Sequence, residues 1–416
     1  MKVIDYSDRK ELDKTLARGS LGYGEAIDAA RKILSDVKRD GDSAVFEYTR
    51  KFDGFDLSEK NLKVASSELK NAYNKVDAKV VKALKHAAKN VKSFHQMQYR
   101  QIDCEWEYMT EKGVTVGEKA SPIDSAGCYV PGGRASYPST VLMTCIPAKV
   151  AGVQRIVVAT PPPTRPAVLV ACDIAGVDEI LRIGGAQAIG ALAYGTQSVR
   201  KVSKIVGPGN KYVTAAKMLV YGAVDIDLPA GPSEVLILAD ESSNPKFIAA
   251  DLLAQAEHDP DAQSVLASSS GELIRDVSIE LSKMKAERKL GEIVCVKTSS
   301  LKESINFANE YAPEHLEVAT KNAEKDARKI RNAGAIFVGA YSCVAAGDYA
   351  TGANHVLPTG GTAKFASQLS VRDFLKTSSV QKLTKEGLER IGETIMTLAE
   401  NEGLHAHKNS VKTRLA

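Results

Sequence analysis

The sequence predicts an α/β protein: two doubly wound, Rossmann-like domains with parallel sheets, one inserted in the other, plus helical N- and C-terminal arms. Three observations lead there. From about Arg155, short β-branched runs alternate with helical stretches, the pattern of βαβ units. These units fall into two series. Two Pro/Gly-rich breaks, Gly127-Cys-Tyr-Val-Pro-Gly-Gly133 and Asp227-Leu-Pro-Ala-Gly-Pro-Ser233, bracket the first series.

The first quarter reads as helical. Ile27, Ala30, Ile33, Leu34 and Val37 recur at helical spacing up to the Asp40-Gly41 stop. Val81, Leu84, Ala88, Val91 and His95 form a second stripe on a Lys-rich helix, which makes His95 a core-edge histidine. Strands are expected at Arg155–Thr160, Glu179–Ile183 and Lys204–Val206, with helices from Pro166, from Gln187 to Tyr194 and from Lys211 to Tyr221. A second series has strands at Glu234–Ala239, Ser264–Ala267, Glu292–Val296 and Ala335–Val338. The expected division is an N-terminal arm over 1–25, one domain from 26–128 and 239–369, an inserted domain over 129–238, and a helical tail over 370–416.

Composition narrows the function classes. A chain of 416 residues can bury two cores. Its net charge of +4 is small and its charges are interspersed, which argues against nucleic-acid and membrane partners. The six cysteines have no Cys-x-x-C pairing, as expected of reduced thiols in a cytoplasmic protein. The start, Met1-Lys2-Val3-Ile4-Asp5, lacks the apolar core of a signal peptide. Lys149, Gln154 and Arg155 break the most apolar stretch, so it is not expected to span a membrane.

The chemistry gathers at a few places. Asn244-Pro245 is a helix start, and Gln255 and His258 lie three apart on the helix it opens, able to face one cation. Asp348 and His407 supply further oxygen and nitrogen donors. A set without thiolate suits a working zinc more than a structural one. His405 competes with His407 for the last position, and His355 is a further candidate beside Asp348. Glu314-His315 places an acid beside a base. After Pro313 the pair is expected in the first turn of a helix, whose positive end would keep His315 neutral, as a general base must be. Gly184-Gly185-Ala186-Gln187 and Gly207-Pro208-Gly209-Asn210 each put a glycine turn between a strand and a helix, where open sheets bind nucleotides.

The motifs Gly-Cys-Tyr129-Val-Pro-Gly-Gly-Arg, Gly-Gly-Ala-Gln187, Gly-Pro-Gly-Asn210, Ala-Gly-Pro-Ser233-Glu, Gln255-Ala-Glu-His258, Ala-Pro-Glu314-His315-Leu, Gly-Asp348-Tyr-Ala-Thr-Gly-Ala-Asn-His and Glu402-Gly-Leu-His-Ala-His407, in that order, resemble those of the histidinol dehydrogenases. The chain departs from the family's pattern at Cys343 and His405. The resemblance implies an NAD-linked enzyme with one Zn2+ per subunit that oxidises L-histidinol to L-histidine through L-histidinal, the last step of histidine biosynthesis. It implies NAD contacts at Tyr129, Gln187 and Asn210, and zinc ligands at Gln255, His258, Asp348 and His407. Substrate would be held by Ser233, His315, Glu402 and those ligands, with Glu314 and His315 catalytic. It also implies a homodimer whose tails cross, so that Glu402 and His407 complete the partner's site. Rival readings are a zinc hydrolase, a non-catalytic imidazole-binding protein, and a covalent route through Cys128.

Overall fold

The computed structural model describes residues 1–19, 24–132, 137–229, 231–284 and 289–416. Two parallel sheets organise it. The first has five strands in the order Glu179–Leu181, Arg155–Ala159, Ser125–Tyr129, Lys204–Val206, Asp225–Ile226. The second has six, in the order Lys2–Asp5, Glu292–Lys297, Gln263–Ser268, Glu234–Leu238, His315–Val318, Ala335–Val338. Without the edge strand Lys2–Asp5, both sheets have the same doubly wound order, reversing direction beside Ser125–Tyr129 in one and Glu234–Leu238 in the other. Ile156, Val157, Val158, Val235, Leu236 and Ile237 have no solvent exposure, because helices cover both faces of each sheet. This is the expected fold class.

The division between the sheets differs in detail from the expected one. Ser125–Tyr129, split at residue 128 by the expected boundary, is the central strand of the five-stranded sheet. The glycine that looked like a break lies inside that strand, where a Cβ on Gly127 would come 3.0 Å from Leu192 Cδ1. Glu234–Leu238, expected in the insert, is central in the six-stranded sheet. Helices Gly24–Asp40, Asp42–Asp53 and Ala78–Arg100 pack on the five-stranded sheet. Ile33, Leu34 and Val37 share a core with Ile189 and Leu192, and Leu84 and Val91 share one with Val141 and Met143. His95 is fully buried there, its Nδ1 2.7 Å from Gln98 Oε1.

The N-terminal segment is only partly helical. Lys2–Asp5 pairs with Glu292–Lys297, and helix Arg9–Leu16 buries Leu12 against the second sheet. A third sheet, antiparallel, is made of Leu375–Leu383, Val114–Pro122 and Glu105–Glu111. Nothing in the periodicity announces it, since Glu105–Glu111 is exposed along its whole length. It carries the tail helices Lys385–Asn401 and His405–Leu415. Between Asp348 and this sheet the chain crosses back, burying Val356, Leu369, Val371 and Phe374 in the core beneath the five-stranded sheet. No helix among the described residues is long and apolar enough to cross a membrane.

Candidate active site

Glu314 and His315 are not at a helix start. Helix Leu301–Tyr311 ends on Ala312, which is in the left-handed region with φ 51°, and His315 opens strand His315–Val318. For alanine that conformation costs roughly 1–2 kcal/mol and must be held by its surroundings. With no helix N-terminus here, the dipole argument for a neutral His315 falls.

Glu234 takes its place. As first residue of the neighbouring central strand, it touches the pair at three points. Its backbone N–H donates to Glu314 Oε2 at 2.9 Å, and its side-chain Oε1 accepts from the Glu314 N–H at 3.2 Å. Its carbonyl lies 3.1 Å from His315 Nδ1. A carbonyl can only accept, so Nδ1 carries a proton and Nε2 is left bare in the neutral ring. Nε2 is buried without a hydrogen-bond partner among the described residues, 3.7 Å from Asp348 Oδ1.

Electrostatics tune the pair. Burial raises the Glu314 carboxyl to about 7, opposed by His315 and by the N–H of Glu234. Burial disfavours the His315 imidazolium, but Glu314, Asp348 and the Glu234 carbonyl outweigh it and raise the ring to about 9. Burial would also raise Asp348; the imidazoles of His315, His355 and His258 hold its carboxyl below the usual range.

Asp348 lies on the short helix Val344–Tyr349, not on a loop, and its carbonyl accepts from His355 Nδ1 at 3.0 Å. Gln255 is buried on helix Pro245–Ala256 with its Nε2 unpartnered among the described residues. Because the amide can flip, that orphaned position suits an oxygen aimed at a cation. His258 is exposed just beyond the helix end, its N–H on the Gln255 carbonyl at 3.2 Å. An orphaned amide, a carboxylate and imidazoles without thiolate fit a zinc ion acting in catalysis. Counting only His, Cys, Asp and Glu, no group of three or more able to hold a metal is assembled among the described residues. His407 and Glu402 are exposed, and the helix carrying His407 packs on Lys385–Asn401. His405 is exposed too.

The glycine turns converge on Tyr129, at the carboxyl end of its strand. Tyr129 is buried, and its hydroxyl accepts from the Gly185 N–H at 3.0 Å. Gly207, with φ +115°, approaches so closely that a Cβ would come 2.2 Å from the Tyr129 carbonyl. Gln187 is buried with both amide atoms unpartnered among the described residues, a cost that a bound ligand would relieve. Asn210 caps helix Lys211–Val220, its Oδ1 accepting from Tyr212 N at 3.0 Å and Val213 N at 3.1 Å, so only its amide NH2 is free for a ligand. These residues fit a nucleotide at the point where the strand order reverses. Ser233, half-buried, immediately precedes Glu234. The stretch from Asp227 to Glu234 joins this carboxyl edge to the amino edge carrying His315, and seven residues reach at most roughly 25 Å.

Cys128, the covalent candidate, is fully buried, and contact with Cys145 together with burial raises its thiol well above the ordinary value, as suits packing and not attack. Glu234 and Arg18 are the residues sequence reasoning missed. Glu234 lies inside a quoted motif, but it works largely through backbone atoms that any residue has, and Arg18 sits in no motif at all.

A sequence profile of the histidinol dehydrogenase family matches residues 16–415. The histidinol dehydrogenase of Methanococcus maripaludis is 50% identical over an alignment of 425 positions, covering 100% of this chain and 99% of that protein. The Clostridium acetobutylicum protein of the same name is 47% identical over 406, covering 94% and 92%. The crystal structure of histidinol dehydrogenase from Elizabethkingia anophelis superimposes with a TM-score of 0.93 at 38% identity, covering 100% of this chain and 98% of that one. The chain belongs to the histidinol dehydrogenase family of enzymes.

Proposed function

We propose that this chain oxidises L-histidinol to L-histidine through L-histidinal, consuming two NAD+ and one water and releasing two NADH, as the last step of histidine biosynthesis. The observation that carries this reading is the buried Nε2 of His315, without a hydrogen-bond partner among the described residues and bare when the ring is neutral, its ring fixed from behind by Glu234 and flanked by a carboxyl raised to about 7. His315 Nε2 takes the hydroxyl proton of the alcohol as the carbon gives up its hydride. Glu314, as carboxylate, then takes a proton from water as that water's oxygen adds to the aldehyde carbon, while His315 returns its proton to the former carbonyl oxygen, which leaves the neutral hydrate and a neutral ring. His315 repeats its role on the resulting hydrate, and loss of a second hydride leaves the acid.

Gln255, His258 and Asp348, with His407 from a partner subunit, would hold one zinc, which supplies a fixed anchor for the substrate's imidazole and amino nitrogens. Tyr129, Gln187 and the amide of Asn210 would hold NAD, which accepts the hydride. Ser233 and Glu402 would complete the substrate pocket. The thiols are unpaired, in keeping with a cytoplasmic enzyme.

The decisive assay follows NADH formation from L-histidinol and NAD+, with and without a chelator. Turnover that the chelator abolishes and zinc restores is expected; no NADH from the zinc-loaded protein would refute the reading. The division of labour has its own check. Glu314→Gln should slow L-histidinal oxidation by about 10²-fold or more but L-histidinol oxidation by less than about tenfold. Equal losses with the two substrates would remove Glu314 from the water step.

A further inference from the structure

Resting on that reading, we propose that the buried ion pair Arg18–Glu234 is the positioning device of the acid–base pair, so that the N-terminal segment forms part of the active-site scaffold. Neither residue reaches the reacting atoms by the contacts described; both act through Glu314 and His315.

The geometry has two parts. First, Glu234 is a template with three contacts on two consecutive residues, fixing both the direction of the Glu314 carboxyl and the tautomer of His315. Those contacts are only as exact as the placement of Glu234. Its carboxylate is fixed by the Arg18 fork, with Nη2 3.0 Å from Oε1 and Nε on Oε2; the two side chains are 8% and 3% exposed. Second, the same guanidinium reaches the strained turn leading into the pair. It stacks 3.3 Å from the centroid of the Tyr311 ring, and Nη2 donates to the carbonyls of Tyr311 and of Ala312, the latter at 3.4 Å. Ala312 is the described non-glycine residue with positive φ, and it stands two residues before Glu314. One planar cation thus ties the start of the Glu234 strand to the turn that delivers Glu314 and His315. Tyr311 is locked from its far end, its hydroxyl donating to Gln263 Oε1 at 2.7 Å.

A buried ion pair costs desolvation, and a hydrophobic pair of similar volume often supports the fold as well or better. Arginine is suited here by its fork, which engages a carboxylate and two carbonyls at once; lysine, a point charge, has no such reach.

The test uses the full chain with zinc and NAD+. The double variant Arg18→Met with Glu234→Leu removes both charges together, so no lone buried charge remains. It is expected to melt within a few degrees of wild type. It should lose about 10–10²-fold in kcat for both L-histidinol and L-histidinal, with KM for each within about threefold. In protein carrying 15N-labelled histidine, the His315 signal should shift from the Nδ1–H tautomer toward a mixture. Arg18→Lys keeps the charge and should lose kcat severalfold. A folded double variant with kcat within twofold of wild type, or an unchanged His315 tautomer, would overturn the proposal, as would full activity in Arg18→Lys. Inactivity of the wild-type chain toward L-histidinol would instead refute the proposed function, while the tautomer measurement would still decide the positioning role.

Discussion

Replacing His315 with asparagine is expected to lower kcat by about 10²–10⁴-fold in both oxidations while leaving the fold intact. The asparagine NH2 can take the place of Nδ1–H on the Glu234 carbonyl, 3.1 Å from the present ring, but it has no atom where Nε2 stands. The substitution therefore keeps the anchor and removes the base. The pH profile should change with it. The carboxylates of Glu314 and Asp348 overcome burial and raise His315 to about 9 in the metal-free chain, so the base form is scarce at neutral pH and grows as pH rises. A cation on Asp348 would weaken that field and bring the inflection lower. Wild-type kcat should rise with pH toward this inflection, and the rise should vanish in His315→Asn. The linkage to stability has the opposite sense: a raised folded-state value stabilises fully below the unfolded value of about 6.5 and is lost as pH climbs through about 9. A variant that keeps more than a tenth of the rate, or the alkaline rise, would contradict the assignment.

A mixture of His407→Ala and His315→Ala chains, each inactive alone, should regain activity on subunit exchange, approaching half the wild-type rate per mixed dimer. His407 is exposed on a helix that packs against its own tail, and no group of three His, Cys, Asp or Glu able to hold a metal is assembled in one chain among the described residues. If the tail completes the partner's site, one site of the mixed dimer collects both lesions and the other is whole. A mixture that exchanges subunits, as mass spectrometry of differently labelled chains would establish, yet stays inactive would refute the shared site. It would then place His407 at home or outside the site.

The sequence makes much of this visible where a pattern repeats or a motif carries side-chain chemistry. Runs such as Ile156-Val-Val and Val235-Leu-Ile are buried on both faces and read directly as parallel strands. Gln255, Asp348, Glu314 and His315 stand out because the roles proposed for them are carried by their side chains. Three kinds of information stayed hidden. The exposed strand Glu105–Glu111 is held by the hydrogen-bond ladder and has no apolar face to betray it. Pro313 suggested a helix because the left-handed turn at Ala312 uses a residue with no preference for that conformation. Glu234 grips Glu314 and His315 through its amide and carbonyl, and Arg18 reaches Glu234 across 216 positions of chain.

Pairing Lys2–Asp5 with Glu292–Lys297 has a consequence for biogenesis. At roughly 5–20 residues per second, a ribosome needs about 15–60 s to make the partner of a strand that emerged first. In that interval helices 24–53 and the strands of the five-stranded sheet can already assemble, since the core of Ala26, Leu34, Leu192 and Val224 draws on no later residue. The N-terminal strand must wait unpaired, and its composition suits waiting: four residues, with a lysine at one end and an aspartate at the other, are a poor template for a passing chain. Glu292–Lys297 then gives it its partner, and His315–Val318, added on the far side of Glu234–Leu238, brings the proposed acid–base pair to the bed on which Arg18 and Glu234 meet. The proposed acid–base pair is therefore set only once His315–Val318 has been made, after the core built from residues 26–226 can already have formed.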